Sequence, residues 1–306
     1  MTTVLPKPSL ATLPFRLRRY QQERLPLWKG ALMAGAISFS AVTFPAQLAH
    51  REPPSIFIYL LAFFIVGIFQ FQRRIADDLR NLQHDRRTEP DRPIPRGLVS
   101  PNELRLLFLA LVPIQAILCG IIDVRMWGLL LVATGFLMLL TLGVGPLRWN
   151  RLHPLFYLFF HRLAAPLTLY VASAAEWMPR NGSPPFALIL LLLVSYSNSF
   201  ILEIGRNFRL PAESDPDARS YAVLWGPRRA SLIWWMLINL AAIFSTVART
   251  IRHAPPQGVA VLLVAVIIAG IFAYRFAADP ESRGAKRFDL LSVLWTTTLF
   301  LTVVIR

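Results

Sequence analysis

Charge is scarce in this chain, and acid is scarcer than base. Of 306 residues, 17 are Asp or Glu and 32 are Lys or Arg, so charged residues make up only 16%. Soluble domains carry about a quarter, which excludes an ordinary soluble globular protein. Cysteine is nearly absent. Cys119 stands alone, which excludes an intrachain disulfide and any cysteine-based metal cluster. There is no phosphate-binding P-loop, no zinc-ligand spacing and no nucleophile elbow.

Apolar residues fill the gap. They account for 55% of the chain, with a mean hydropathy of +0.49. They fall in blocks of about 20, the length of helix that crosses a bilayer. The blocks are continuously apolar, whereas a membrane strand alternates over about ten residues. The expected fold class is therefore all-α: a polytopic membrane protein with nine transmembrane helices. Those spans are expected at Leu27–Leu48, Ser55–Gln72, Pro101–Ile122, Met126–Val144, Pro154–Trp177, Pro185–Arg206, Arg229–Val247, Gly258–Phe276 and Phe288–Ile305. Residues 1–26 read as a basic tail with an interfacial segment around Phe15–Tyr20. Their basic residues extend too far, and the apolar block after them has no obvious small-residue cleavage site, so no secretory signal is expected. Residues 27–306 read as one transmembrane domain.

Basic residues set the expected orientation. With the N-terminus in the cytoplasm, the cytoplasmic segments collect Arg16, Arg18, Arg19, Arg24 and Lys29, seven arginines between Arg73 and Arg96, Arg148 and Arg151, five arginines between Arg206 and Arg229, and Arg275, Arg283, Lys286 and Arg287. The other side keeps Arg51, Arg125, Arg180, Arg249, Arg252 and Arg306. This asymmetry follows the positive-inside rule. It also explains the net charge of +15 without nucleic acid: the bases face an anionic leaflet or an anionic substrate.

Two polar clusters sit on that face. The first, "RRIADDLRNLQHDRRTEPDRPIPRG", runs from Arg73 to Gly97. On a continued helix Asp77, Asn81 and Asp85 recur every fourth residue and share a face, with Asp78 on a neighbouring one. Such a column of oxygens suits Mg2+, which takes one or two carboxylates and completes its shell from phosphate and water. Arg73, Arg74, Arg92 and Arg96 are placed to pair with phosphate through their planar forks. The two prolines of "RPIPRG" stiffen the loop, and its glycine allows a tight turn. In the second cluster Tyr196, Ser199, Glu203 and Asn207 again share a helix face, flanked by Arg206 and Arg209, with Pro211 expected to end the helix near Leu210. Glu213, Asp215 and Asp217 follow in a loop. Charged span ends are also ordinary headgroup anchors, and spacing alone leaves both readings open.

The column Asp77–Asn81–Asp85 followed by "RPIPRG" resembles the first signature of the UbiA superfamily of intramembrane prenyltransferases. That resemblance implies nine transmembrane helices, with aspartate-rich motifs at the cytoplasmic ends of helices 2 and 6. It implies Mg2+ bound by carboxylates and holding a polyprenyl diphosphate, ionisation to an allylic cation, and attack by an acceptor that is often an aromatic ring. Carried over, Asp77, Asn81, Asp85, Glu203 and Asn207 are the expected catalytic and metal positions. Arg73, Arg74, Arg92, Arg96, Arg206 and Arg209 are the expected diphosphate positions. Ser220 and Tyr221 fall where the family often has a Thr-containing turn. The chain departs from the pattern at Asn81 and Asn207, where acids are usual. A non-catalytic transporter or lipid-binding protein of the same fold is the competing expectation.

Other residues stand out. His161 and Arg162 lie within the fifth span, where charge is costly and marks a cavity unless the arginine snorkels to the surface. Trp149, Trp177, Trp225, Trp234 and Trp235 are expected in interfacial belts. Asn198 and Asn239 are expected to hydrogen-bond between helices.

Overall fold

The computed structural model describes residues 10–142, 159–180, 182–210, 220–280 and 282–305. Every element of regular structure among them is helical. A short helix, α1 (Leu13–Arg24), precedes α2 (Leu27–Leu48), α3 (Ile56–Thr88), α4 (Pro101–Ile122) and α5 (Met126–Leu142). A helical turn over 159–162 leads into α6 (Ala164–Trp177). Then come α7 (Leu188–Arg206), the five-residue α8 (Tyr221–Trp225), α9 (Pro227–Ile251), α10 (Gln257–Ala278) and α11 (Ser282–Val304).

A helix coincides with each expected span. Seven of them are long and apolar enough to cross a membrane: α2, α3, α4, α7, α9, α10 and α11. By length the expected nine crossings therefore stand at seven among the described residues. The other two helices, α5 and α6, have 17 and 14 residues and flank a stretch outside the described residues. The apolar faces of α4 and α10 are turned outward, with Leu106, Leu109, Ile117, Val264, Ile267 and Ile268 all exposed. Exposed apolar faces of that extent are what lipid covers. The chain is an integral membrane protein.

Two apolar cores share one seam. The first gathers α3, α4 and α5 around Ile65, Phe69, Leu104 and Met126. The second gathers α7, α9, α10 and α11 around Val194, Trp234, Phe288 and Phe300. Helices α2 and α6 contribute to both. Thus α6 touches both α3 and α7, and stands between the helices that carry the two polar clusters.

Local chemistry explains the key ends. Helix α3 runs on without a break for 33 residues, about 50 Å at 1.5 Å per residue, against a hydrocarbon core of about 30 Å. No proline interrupts it before Pro90, so the polar column stands out of the membrane on the same rod. Ser100 caps α4 as its sequence requires: Glu103 N donates to Ser100 Oγ at 3.2 Å, and Ser100 N donates to Glu103 Oε2 at 2.8 Å. Gly97 takes a φ of +79°, which closes the "RPIPRG" turn. Helix α7 ends at Arg206, four residues before the expected Leu210, and Asn207 caps it in a non-helical conformation. At that end Glu203 accepts a hydrogen bond from Asn207 Nδ2 at 3.0 Å.

Some expectations fail. Trp234 is fully buried and donates to Ser292 Oγ at 2.9 Å, so it is a core residue and not part of a belt. Asn239 bonds within its own helix, to Trp235 O, whereas Asn198 does reach across to Thr296 Oγ1 at 3.0 Å. Trp149 lies outside the described residues, as do Pro211, Glu213, Asp215 and Asp217.

Helix α1 is strapped onto the bundle end rather than left as a free tail. Arg16 bonds Glu103 (2.7 and 3.0 Å) and Leu98 O (3.1 Å). Tyr20 Oη donates to Asp78 Oδ2 at 2.8 Å, and Arg24 forks onto both oxygens of the same carboxylate. Burial of Glu23 raises its carboxyl, but hydrogen bonds from Arg96 and Arg19 outweigh that and hold it below the ordinary carboxylate range. Burial, and then Asp78, push the Tyr20 phenol up. Asp78 is therefore an anchor for α1, with Arg74 3.6 Å away on the same side. Removing it leaves two buried guanidiniums and a buried hydroxyl unmatched, a cost of about 3 kcal/mol. Asp78→Ala is expected to release α1, speeding tryptic cleavage after Arg19 and Arg24 in the purified protein. An unchanged cleavage rate would show that the strap is held by something else.

Candidate functional site

The polar column of α3 lies within electrostatic range of that of α7, Asp77 of Glu203 and Arg73 of Glu203 and Arg206. The two columns are joined by two residues from the turn before α6. Arg162 Nη1 stands 2.9 Å from Glu203 Oε2, and its Nη2 lies 2.5 Å from His161 Nδ1. His161 Nε2 in turn stands 3.0 Å from Asp77 Oδ1. A guanidinium is always a donor. Nδ1 therefore accepts, and the imidazole proton belongs on Nε2, facing the carboxylate. The order Asp77–His161–Arg162–Glu203 is a bridge between the two columns, its Asp77–His161 step held by proximity, since Asp77 Oδ1 accepts no aligned hydrogen bond among the described residues. His161 and Arg162 are each under 5% exposed. Spacing within either cluster gives no sign of them. The signal available was charge inside an apolar span.

Guanidiniums outnumber carboxylates here. Arg73 lies within electrostatic range of Arg162, Arg206, Asp77 and Glu203. Arg80 pairs with Asp77 at 3.6 Å and Arg206 with Glu203 at 3.8 Å. Four arginines thus surround two acids in a region of low dielectric, where like charges repel strongly. Nε of Arg162 is buried and finds no acceptor among the described residues. A buried donor left unmet costs about 1–3 kcal/mol. Such a group is one that an anion would satisfy.

A second bridge closes the mouth. Asp85 and Glu89 both hold Arg92, at 2.8 and 2.6 Å, and Glu89 also takes Arg209 at 2.9 Å. Arg209 is fixed in turn by Ser220, whose hydroxyl accepts from Arg209 N (3.0 Å) and donates to Arg209 O (2.6 Å). The loop after α3 is thereby tied to the chain after α7. A cavity of about 370 Å³ opens beside it, lined by Arg24, Glu89, Asp91, Arg92 and Arg209 among others.

The expected residues divide accordingly. The structure brings Asp77, Glu203, Arg73 and Arg206 together, and Asn207 joins them through Glu203. Asp85, Arg92 and Arg209 form the outer group. Asn81 lies one turn from Asp77 on the same helix. Two expected diphosphate positions face elsewhere: Arg74 turns to Asp78, and Arg96 forks onto Glu23 at 2.7 and 2.9 Å. Tyr196 and Ser199 spend their hydroxyls on backbone carbonyls of Phe159 and Tyr196. Tyr221 stands near enough to feel Glu203 and Arg162.

Hard oxygen donors for a cation are present in Asp77, Asp85 and Glu203. No three acidic, histidine or cysteine side chains among the described residues lie close enough to hold a metal by themselves. The donor set fits Mg2+ bound by one or two carboxylates, with the remaining shell from diphosphate and water.

Fold and site together define a polytopic helical membrane protein with a paired polar site at one end of its bundle. The chain belongs to the UbiA prenyltransferase family, which it matches over residues 36–301. No curated protein matches it. Among solved structures, that of a digeranylgeranylglyceryl phosphate synthase is similar at 17% identity and a TM-score of 0.59, covering 95% of this chain and 98% of that one. A UbiA homolog from Archaeoglobus fulgidus bound to GPP and Mg2+ is similar at 15% identity and a TM-score of 0.55, covering 94% and 100%. The same comparison with a UbiA homolog from that organism bound to Cd2+ gives 16% and 0.55. At these identities the likeness is one of fold.

Proposed function

We propose that this chain transfers a prenyl group from a prenyl diphosphate to an acceptor within the membrane, with Mg2+ at the diphosphate. The carrying observation is the bridge that holds Asp77 and Glu203 among four guanidiniums. An excess of cationic donors fits a diphosphate better than it fits a neutral lipid. Membership of a prenyltransferase family and the fold shared with a homolog that binds GPP and Mg2+ support the same reading. The polar end faces the cytoplasm, in keeping with the bias of basic residues.

In this reading Asp77 and Glu203, with the amide oxygens of Asn81 and Asn207, offer a cation its protein oxygens, and Asp85 offers a separate carboxylate in the outer group. Arg73, Arg162 and Arg206 orient the diphosphate and stabilise the charge it gains as its C–O bond to the allylic carbon breaks. Arg92 and Arg209 brace the mouth. The apolar interior keeps water from the allylic cation until the acceptor attacks. Bound Mg2+ adds charge that eases departure of the diphosphate.

The test is binding of a long-chain prenyl diphosphate to the purified chain, with Mg2+ or with EDTA. Binding should require the metal and weaken about tenfold or more in Asp85→Ala, which also frees Arg92. Absence of binding in the wild type, or indifference to metal and mutation, would sink the catalytic reading and favour a fold kept for transport or lipid binding.

A further inference from the structure

Arg162 spends its charge on Glu203, yet Glu203 is one of the acids that a cation would need. Both cannot hold the carboxylate fully. A cation on Glu203 would displace a guanidinium that is only 3% exposed, with no solvent to receive it. A buried arginine stripped of its counter-ion is strongly unfavourable. The displaced fork needs another anion close by, and its Nε already lacks an acceptor. The converse holds for an anion arriving alone. It would have to compete with Glu203 for Arg162, which is already paired with that carboxylate at 2.9 Å.

We propose that Arg162 is an exchangeable counter-ion: it neutralises Glu203 in the absence of substrate and passes to the diphosphate when a divalent cation takes the carboxylate. Metal and diphosphate therefore bind as a pair, each poorly without the other. His161 serves the exchange as a positioning residue. Its Nδ1 holds Arg162 Nη2 while its Nε2 faces Asp77, so the guanidinium can swing from Glu203 without leaving the bridge. The inference rests on the diphosphate-binding reading and adds to it the reason for the unmet donor. The loop acids show the same arrangement in Asp85 and Arg92, which are paired at 2.8 Å.

The experiment uses the full chain in detergent. Mn2+ binding is followed by loss of the free-ion electron paramagnetic resonance signal, and inorganic pyrophosphate binding by calorimetry, each alone and together. In wild type, either alone should bind weakly and the pair tightly. Arg162→Gln removes the competitor for Glu203, so affinity for Mn2+ alone should rise about tenfold, while the mutual enhancement shrinks. Glu203→Gln is the reciprocal variant. It releases Arg162, so affinity for pyrophosphate alone should rise by a similar factor while Mn2+ binding falls. A damaged fold loses affinity and does not gain it, so either gain marks the exchange. If both variants leave the single-ligand affinities unchanged or lower, the exchange is overturned even where wild type binds the pair. If wild type binds pyrophosphate neither with Mn2+ nor without it, the diphosphate reading itself has failed.

Discussion

Asp77→Ala is expected to lower release of diphosphate from a long-chain prenyl diphosphate about 10²–10³-fold, the usual cost of losing one preorganised electrostatic group. The effect has two sources. Asp77 is an oxygen donor on the α3 column, and it is also the far anchor of His161, 3.0 Å away. Without it the imidazole is free to turn, and Arg162 loses the fixed partner it has in His161. The damage therefore reaches Glu203 on α7. Residues that act as one unit give effects that do not add. The double variant Asp77→Ala/Glu203→Ala should be little worse than the worse single. Fully multiplicative losses, measured as kcat in the same assay, would show that the two columns work independently and that the bridge is only a packing contact.

Gly205→Ala is expected to destabilise the protein by about 1–3 kcal/mol, the range for added volume in a packed interior. A Cβ at Gly205 would stand 2.1 Å from Ser292 Oγ and 2.7 Å from Phe288 O. Neither neighbour yields easily. Ser292 Oγ donates to Phe288 O, lies 3.2 Å from Ile201 O and accepts from the buried Trp234. Phe288 stacks on Phe208, with ring centroids 3.9 Å apart, and packs against Phe272 and Phe276. Helices α7 and α11 would have to separate just where α7 delivers Glu203 and Arg206. A lowered melting midpoint in detergent and weaker pyrophosphate binding should appear together. Adding Ser292→Ala removes the closest clash and should recover part of the midpoint. A melting midpoint equal to wild type would mean that the two helices are less closely set than they stand here.

Composition and pattern determined the class of this protein. Continuous apolar blocks have few structural solutions in a bilayer, because backbone groups without water must bond within their own helix. The positions of the helices follow from that. So does the run of α3 into its polar tail, since nothing between Ile56 and Thr88 breaks a helix. The capping box at Ser100 and the turn at Gly97 are local chemistry, and local chemistry is readable in order along the chain. The family signature lies in residues close in sequence, Asp77 to Gly97, and was legible for the same reason.

What only the tertiary structure decided is which charges face each other. Asp77 and Asp78 are neighbours in sequence, but they lie 100° apart around a helix. One meets His161 and the other meets Tyr20 and Arg24 of α1. Arg92 and Arg96 look alike in "RPIPRG", yet the first closes on Asp85 and Glu89 while the second reaches Glu23. His161 and Arg162 come from a third element, 84 and 41 residues from the acids they join. Spacing reports the face of one helix. It carries no information about which face another helix presents, and a salt bridge depends on both.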